Sequence, residues 1–118
     1  MSEYRTVLIV SYQPQTVDSH AQALGEAGYE VQRAQTMSAA LGAVGPGKIE
    51  AMVLGPDIPA GDRRRIEGEA RRRNERIRIV LMYEGERERD VFASAILDVS
   101  EPTTKLVETI GSILSEQK

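Results

Sequence analysis

The stretch from Ala51 to Gly61, which reads AMVLGPDIPAG, decides the fold of this chain. Its residues Met52 to Leu54 form a short, continuous apolar run that stops at a Gly-Pro pair, as a buried strand does where it leads into a loop. In an open parallel α/β sheet, ligands and chemistry gather at the carboxyl ends of the central strands. The segment from Gly55 onward is therefore where a functional site is expected, although glycine itself supplies no reactive group.

The composition is that of one globular domain spanning residues 1–118. Hydrophobic residues make up 41% and charged residues 28% of the chain, which is far from the composition of disordered chains. The net charge of -3 disfavours nucleic acid as a partner. Because the chain has no cysteine, disulfides and thiolate sites are excluded and a cytoplasmic location is expected. No apolar stretch approaches the roughly 20 residues of a membrane span.

The first two strands differ in polarity, which predicts different places in a sheet. Val7 to Val10 are uniformly apolar, as in a strand covered on both faces. Residues 29–34 alternate apolar with polar side chains, as in an edge strand that is partly open to water. Between them we expect a helix that Thr16 caps at its start and that ends at Gly28, a residue suited to the left-handed conformation.

Two further helices and a central strand are predicted in the middle of the chain. Thr36 is expected to cap a second helix, which stops at the Gly-Pro-Gly sequence of residues 45–47. Asp62 is expected to cap a third, highly charged helix that ends near Arg76. The apolar run from Ile77 to Met82 then predicts a fourth strand, again inside the sheet.

The C-terminal part of the chain predicts a short helix from Arg87 to Ala93, an edge strand from Ile96 to Val99 and a final amphipathic helix. The large apolar residues of that last helix are spaced to lie on one face; they are Leu106, Val107, Ile110, Ile113 and Leu114. Five strands alternating with five helices are typical of a doubly wound α/β sandwich of the flavodoxin-like (βα)5 kind. Strand polarity places the first, third and fourth strands inside, which predicts the parallel order 2-1-3-4-5.

Several segments resemble the receiver domain of bacterial response regulators. They are VLIVSYQP at residues 7–14, LGEAGYEV at residues 24–31, AAL at residues 39–41 and MVL at residues 52–54 with Pro59 and Gly61 after it. The AGYEV sequence is the most specific of them, and the resemblance covers nearly the whole chain. It implies the same fold and a place in two-component phosphorelay signalling.

Receiver domains carry their chemistry on a few residues at the carboxyl ends of the strands. An acidic pair after strand one binds Mg²⁺, and an aspartate after strand three accepts the phosphoryl group. A Thr or Ser at strand four acts as a switch, and a lysine before a proline after strand five contacts the phosphate. By this resemblance the corresponding residues are Ser11 and Tyr12 for the pair, Gly55 for the acceptor, Tyr83 for the switch with a one-residue ambiguity toward Met82, and Glu101 before Pro102 for the lysine.

None of these positions holds the residue that receiver chemistry requires. Ser11 and Tyr12 offer no carboxylate to Mg²⁺, Gly55 cannot form an acyl phosphate, and Glu101 would repel a phosphoryl group. The resemblance therefore implies a pseudo-receiver that is no enzyme and uses no metal or cofactor. We expect a phosphorylation-independent module that binds a protein partner in bacterial signal transduction or gene regulation. A receiver that had merely drifted would keep a residual acidic pocket.

A second function of a different class stays open, namely a small-molecule or nucleotide sensor whose pocket is refilled by Tyr12, Tyr83 and Glu101. The resemblance also implies a surface for homodimer formation, made by the predicted fourth helix, fifth strand and fifth helix. It further implies a cis peptide bond between Glu101 and Pro102. Neither a membrane nor nucleic acid is expected as a partner.

Three further signals have both a functional and a structural interpretation. Asp57 could serve as a displaced phosphoacceptor, which the intervening Pro56 and the lack of accompanying metal ligands disfavour. The sequence GAVGPGKI at residues 42–49 nearly fits a phosphate-binding loop, but it lacks the final hydroxyl residue and precedes a strand, so we interpret it as a helix stop. His20 has polar neighbours in the sequence and is interpreted as a surface residue.

A basic block covers the third helix and the residues just after it; its arginines are Arg63, Arg64, Arg65, Arg71, Arg72, Arg73, Arg76 and Arg78. Acidic residues are spaced to pair with them at i,i+4 along a helix. These pairs are Arg63 with Glu67, Arg65 with Glu69, Glu67 with Arg71, and Glu69 with Arg73. The preferred interpretation is a solvated helix with ion pairs along it, and the alternatives are an acidic protein partner or nucleic acid.

Overall fold

The computed structural model describes residues 5–83 and 93–115. Strands and helices alternate along these residues. In chain order they are β1 (Thr6–Val10), α1 (Pro14–Glu26), β2 (Glu30–Ala34), α2 (Met37–Val44), β3 (Ala51–Leu54), α3 (Ala60–Arg73), β4 (Arg78–Tyr83), β5 (Ala95–Asp98) and α4 (Thr103–Ser115). The short helix predicted over 87–93 falls almost wholly outside the described residues, so α4 is the predicted fifth helix.

The five strands form one parallel sheet in the order β2-β1-β3-β4-β5. This confirms the predicted order and the flavodoxin-like α/β class. Every residue of β3 is buried, and β1 and β4 are exposed only at their ends. The edge strand β2 instead leaves most of its side chains open to solvent. The burial pattern follows the polarity of the sequence because only strands with helices on both faces can be apolar throughout.

Two apolar layers cover the sheet, one on each face. On one face, side chains such as Val7, Ile9 and Val53 pack with α1 and α4. On the other face, side chains such as Leu8 and Met52 pack with α2 and α3. Alternate residues of one strand enter opposite layers because the side-chain period of a strand is two. The result is a three-layer sandwich whose central strands end together at one edge.

The predicted starts of two helices are wrong. α1 begins at Pro14 and not after Thr16, with Gln13 as its N-cap residue. Proline at the first helical position explains this start, because its fixed φ suits a helix and its missing N–H is not needed there. α3 begins at Ala60, so Asp62 lies in its first turn and does not cap it. The same helix ends at Arg73, earlier than predicted, because Asn74 is extended.

Three predicted helix signals are confirmed. Thr36 caps α2, and its hydroxyl accepts a hydrogen bond from the Ala39 N–H at 3.0 Å. Gly28 follows α1 with a φ of 100°, in the left-handed region that glycine tolerates. The glycines after α2 form a turn before β3, as expected of a helix stop. There Gly47 has a φ of 74°, and a Cβ atom at this position would lie 2.8 Å from the Arg73 carbonyl oxygen.

The basic helix α3 is only partly the solvated, ion-paired surface that we predicted. The Glu69–Arg73 pair is present at 2.8 Å, and Glu69 also lies 3.5 Å from Arg72. Arg63 and Glu67, however, are buried, with 9% and 5% of their surface exposed. They lie one turn apart on the face that also carries the buried Ile66, because residues at i, i+3 and i+4 share a side of a helix.

The prediction of a cis peptide bond in the loop after β5 is wrong, because the Glu101–Pro102 bond is trans. The Glu101 N–H donates to the Asp98 carbonyl at 3.0 Å, and the Ser100 N–H donates to the Asp98 carboxylate at 2.8 Å. The second of these bonds lowers the pKa of Asp98. This turn closes directly before Pro102 in the trans form, which is the lower-energy isomer for most X–Pro bonds.

Within the described ranges, no helix has the length and apolar character needed to cross a membrane.

Candidate functional site

The carboxyl edge of the sheet brings together the residues that follow β1 and β3. Val10 and Leu54, the last residues of these strands, lie opposite each other in the register. The Gly55 N–H continues the ladder by donating to the Val10 carbonyl at 2.8 Å. Ser11 and Gly55 are therefore neighbours at the position where parallel α/β proteins place their sites.

The Asp57 carboxylate folds back over Gly55 and binds the residues after β1. Its Oδ1 accepts a hydrogen bond from the Ser11 hydroxyl at 2.9 Å, and its Oδ2 accepts one from the backbone N–H of Tyr12. Ser11 is fully buried, and its hydroxyl oxygen also accepts from the Gln13 N–H at 3.3 Å. We call this arrangement of Asp57, Ser11 and the Tyr12 N–H the Asp57 latch.

The Asp57 latch explains why residue 55 is a glycine. A Cβ atom at Gly55 would lie 2.7 Å from Asp57 Oδ1 and 3.0 Å from the Ser11 Cβ. Both distances are far shorter than an ordinary contact between carbon and oxygen or between two carbons. A side chain at position 55 and the observed place of the Asp57 carboxylate therefore exclude each other.

A further hydrogen bond connects the loop after β1 with α3. The Tyr12 hydroxyl donates to Asp62 Oδ2 at 2.9 Å. The pKa of Tyr12 is raised to about 12, first by burial, then by the hydrogen bond to Asp62 and the negative charges of Asp62 and Asp57. From the sequence we predicted that Asp62 caps a helix. Its hydrogen bond to Tyr12 joins residues 50 positions apart, so no local pattern indicates it.

We expect the Tyr12 phenol to stay protonated well above pH 10. Because its pKa is higher in the folded than in the unfolded chain, its contribution to stability is complete below pH 10 and is lost as pH rises toward 12. The phenolate absorbance of the parent chain minus that of Tyr12→Phe isolates this residue. Asp62→Asn should move the titration midpoint downward, and a midpoint near the ordinary value of 10 in the parent would contradict the Tyr12–Asp62 contact.

A cleft of about 360 Å³ opens beside the latch, between the start of α1, the ends of β3 and β4, and the loop after β5. Its lining residues are Gln13, Gln15, Ser19, His20, Pro56, Met82, Val99, Glu101 and Thr103. Of the three residues predicted to refill the receiver pocket, Glu101 lines this cleft and the two tyrosines do not. Tyr83 ends β4 opposite Asp98, and the cleft is lined by its neighbour Met82.

His20 is a buried residue, so its interpretation as a surface residue is wrong. Only 9% of its surface is exposed, and its Nδ1 has no hydrogen-bond partner within the described ranges. Burial lowers the pKa of the imidazole. The sequence held a signal that we missed: His20 shares the spacing of the buried residues Val17, Ala21 and Leu24, which defines one face of a helix.

The described residues do not bring three histidine or carboxylate side chains together as a metal site requires. The Mg²⁺ that receiver domains use does not fit the donors found here. Ser11 and Tyr12, whose side chains carry no carboxylate, stand where the acidic pair is expected, and hydrogen bonds from both residues hold the Asp57 carboxylate in place. Mg²⁺ prefers near-ideal octahedral oxygen ligands with carboxylates among them.

Comparisons with known proteins identify the fold. No protein-family model matches the sequence, and no curated protein matches it. Among solved structures, a CheY-like receiver domain protein from Methanospirillum hungatei JF-1 is similar with a TM-score of 0.86 at 20% identity, covering 98% of this chain and 97% of that one. A receiver protein from Sinorhizobium medicae WSM419 has a TM-score of 0.83 at 16% identity, covering 98% of each chain.

The chemotaxis response regulator CheY4 of Vibrio cholerae is also similar, with a TM-score of 0.81 at 18% identity over 94% of this chain and 99% of that one. These similarities extend over nearly the full length of both chains. The chain therefore has the fold of a CheY-like response regulator receiver domain. At such low identity the likeness concerns the fold, so the chemistry has to be argued from the residues at the carboxyl edge.

Proposed function

We propose that this chain is a pseudo-receiver, a signalling module with the receiver fold that binds a protein partner without being phosphorylated. The observation that carries this proposal is the Asp57 latch. Intramolecular hydrogen bonds occupy the place at the end of β3 where the resemblance puts the phosphoacceptor. A receiver that had merely drifted would retain an acidic pocket there, whereas the Asp57 carboxylate fills the space over Gly55 and is engaged in the latch.

Phosphoryl transfer to this edge lacks each of its requirements. Gly55 has no nucleophile, and a missing nucleophile removes the reaction itself. A bound metal normally supplies several kcal/mol of charge stabilisation in such a transfer, and the donors after β1 do not fit one. Glu101 adds a negative charge at the cleft, where an incoming phosphoryl group would be repelled.

Asp57 itself is a poor candidate for a displaced phosphoacceptor. Each oxygen of Asp57 accepts a hydrogen bond from Ser11 or Tyr12, which fixes the carboxylate over Gly55 and stabilises its negative charge. A carboxylate stabilised in this way is a weaker nucleophile toward phosphorus. We therefore assign Asp57 a structural role at the site.

We expect no phosphoryl group on the chain after incubation with acetyl phosphate and Mg²⁺, as measured by intact-protein mass spectrometry. A phosphorylatable receiver domain treated in parallel shows that the reagent is active. Asp57→Asn, which removes the one carboxylate at the latch, should give the same spectrum as the parent. A phosphoryl group on the parent that maps to Asp57 and is missing from Asp57→Asn would overturn the proposal.

The surface that binds the partner is proposed by analogy with the receiver domains that this chain resembles. It consists of β5, α4 and the predicted fourth helix, whose residues lie mostly outside the described part of the chain. On α4 the apolar residues Leu106 and Ile110 are buried against the sheet, and Val107 is partly buried beside them. Homodimer formation through this surface, and binding of another signalling protein there, stay predictions.

A second candidate function is favoured by the cleft beside the latch. It is a small-molecule sensor that uses the remodelled pocket, as the sequence left open. The supporting observation is His20, a buried imidazole that lines the cleft and whose Nδ1 has no hydrogen-bond partner among the described residues. A ligand that stabilises the chain through this cleft would be detected as an increase in Tm, because binding to the folded state alone raises stability.

A further inference from the structure

We propose that the cleft lined by His20 and Glu101 binds a small organic cation, with an apolar body and a hydrogen-bond-donating head group such as an ammonium. This inference rests on the second candidate function and names its ligand class. It is independent of whether the chain is a pseudo-receiver. Four features of the cleft support it, namely its size, the charge of its lining, the His20 imidazole whose Nδ1 has no partner among the described residues, and its apolar wall.

The size and position of the cleft suit a small ligand. Its volume of about 360 Å³ lies near the lower end of small-molecule pockets, which span roughly 300–1,000 Å³. It opens at the carboxyl edge of the sheet, between the loops after β1, β3 and β5, where α/β proteins hold their ligands. An apolar wall of Pro56, Met82 and Val99 can take the body of such a ligand.

The charged side chains of the described lining favour a cation. Apart from His20, Glu101 is the one ionisable side chain among the described residues that line the cleft, and no described arginine or lysine belongs to them. Among these residues a nucleotide or phosphate would meet a like charge and no cationic side chain. Since Glu101 is exposed at the rim, it favours a cation by a modest amount, as exposed ion pairs do.

The imidazole of His20 provides an acceptor for the head group. Burial lowers its pKa and so favours the neutral ring, which has one donor and one acceptor nitrogen. Its Nδ1 is closed off from water and has no partner in the described part of the chain. A buried polar atom without a partner is costly, and a ligand N–H that reached it after a turn of the ring would remove this cost. The side chains of Gln13, Gln15 and Ser19 add further polar groups beside it.

The test uses four probes on the full chain, three of similar shape and different charge and one nucleotide. They are 2-phenylethylamine, the neutral 2-phenylethanol, the anionic 3-phenylpropionate, and AMP as a nucleotide. We expect a saturable rise in Tm with the amine, a smaller rise with the alcohol and none with the two anions. Isothermal titration calorimetry then gives the Kd of the amine for the parent chain and for its variants.

Two variants connect the binding to the cleft. Glu101→Gln should weaken amine binding about threefold to fivefold, as expected for the loss of one exposed ion pair, and should leave alcohol binding unchanged. Glu108→Gln is the matched control, because it removes an exposed acid on the neighbouring helix α4 that does not line the cleft. His20→Phe keeps an aromatic ring without the acceptor and should weaken binding of both the amine and the alcohol.

The outcomes separate the ligand class from the sensor role. Binding of 3-phenylpropionate or AMP in preference to the amine would overturn the cationic ligand and leave the sensor role standing. Absence of binding by all four probes at millimolar concentration would count against both. Amine binding that is equally weakened in Glu101→Gln and Glu108→Gln would place the cation elsewhere and overturn the proposal. The Glu101 comparison decides this even if His20→Phe does not fold.

Discussion

The Gly55→Asp variant, which places an aspartate at the expected acceptor position, should lose about 3 kcal/mol of unfolding free energy and should remain unphosphorylated by acetyl phosphate. Its Cβ atom would lie 2.7 Å from Asp57 Oδ1 and 3.0 Å from Ser11 Cβ. Forcing extra atoms into a packed site costs about 1–3 kcal/mol, and a second carboxylate beside Asp57 adds repulsion between like charges. Restoring the nucleophile alone therefore disrupts the edge without restoring its chemistry.

Urea unfolding of four variants, namely Gly55→Ala, Gly55→Asp, Asp57→Ala and the double variant, separates the steric term from the charge term. Gly55→Ala introduces the Cβ without the carboxylate and should cost less than Gly55→Asp. The double variant Gly55→Asp with Asp57→Ala should lose less stability than the sum of the two single changes, because the clash is with Asp57 itself. If Gly55→Asp were as stable as the parent, or became phosphorylated while Asp57 was present, the latch would not hold the edge as described.

The order of the strands could be predicted from the sequence because strands in the middle of the sheet are apolar and strands at its edges carry polar side chains. Residues such as Val7 to Val10 are apolar throughout because helices cover both faces of β1. This requirement affects only the residues of the strand itself, so it is visible in a short segment of the sequence. The alternation in β2 marks an edge for the same reason. Thr36 and Gly28 were predictable because a cap and a left-handed helix end depend only on residues within one turn.

The contacts of the carboxyl edge could be predicted only in part, because they join residues far apart in sequence. The resemblance brought Ser11 and Gly55 to the same edge, and β1–β3 pairing places them there. That Asp57 folds back to bind Ser11 depends on a turn and a contact across 46 residues, for which no local pattern exists. Asp62 was assigned to a helix cap because its partner Tyr12 is equally distant.

Local rules also failed where two of them competed. Thr16 is a good cap by residue type, but Pro14 suits the first helical position because its φ is already helical, and the helix begins there. Polar residues adjacent to His20 in sequence suggested exposure, although the helical spacing with Val17 and Leu24 indicated burial. In that case the period of the helix was the stronger signal, since it reports which side chains face the sheet.

Asp57→Ala should reduce the unfolding free energy by about 2–3 kcal/mol, a large fraction of the stability of a small domain. The variant removes the acceptor of the Ser11 hydroxyl and of the Tyr12 N–H, and hydrogen bonds to a charged group contribute about 1.5–3 kcal/mol each. Two such bonds would sum to about 3–6 kcal/mol, and we place the total at or just below the lower end of that range because the latch is only partly buried. The Tyr12 amide should also exchange its hydrogen faster in this variant.

Asp57→Asn is the matched control for the latch, since it keeps the shape and one acceptor oxygen. That oxygen can still accept a hydrogen bond from the Tyr12 N–H, and the amide group can donate one to the Ser11 hydroxyl oxygen. The Ser11 hydroxyl can then donate its own hydrogen to the Gln13 carbonyl oxygen, which lies 3.4 Å from it. We therefore expect the asparagine variant to lose less than half of what the alanine variant loses in urea unfolding. Equal losses would mean that the charge of Asp57, and not its hydrogen bonds, holds the loops after β1 and β3 together. No loss in either variant would remove the latch as a structural element and with it the strongest support for a site closed to phosphorylation.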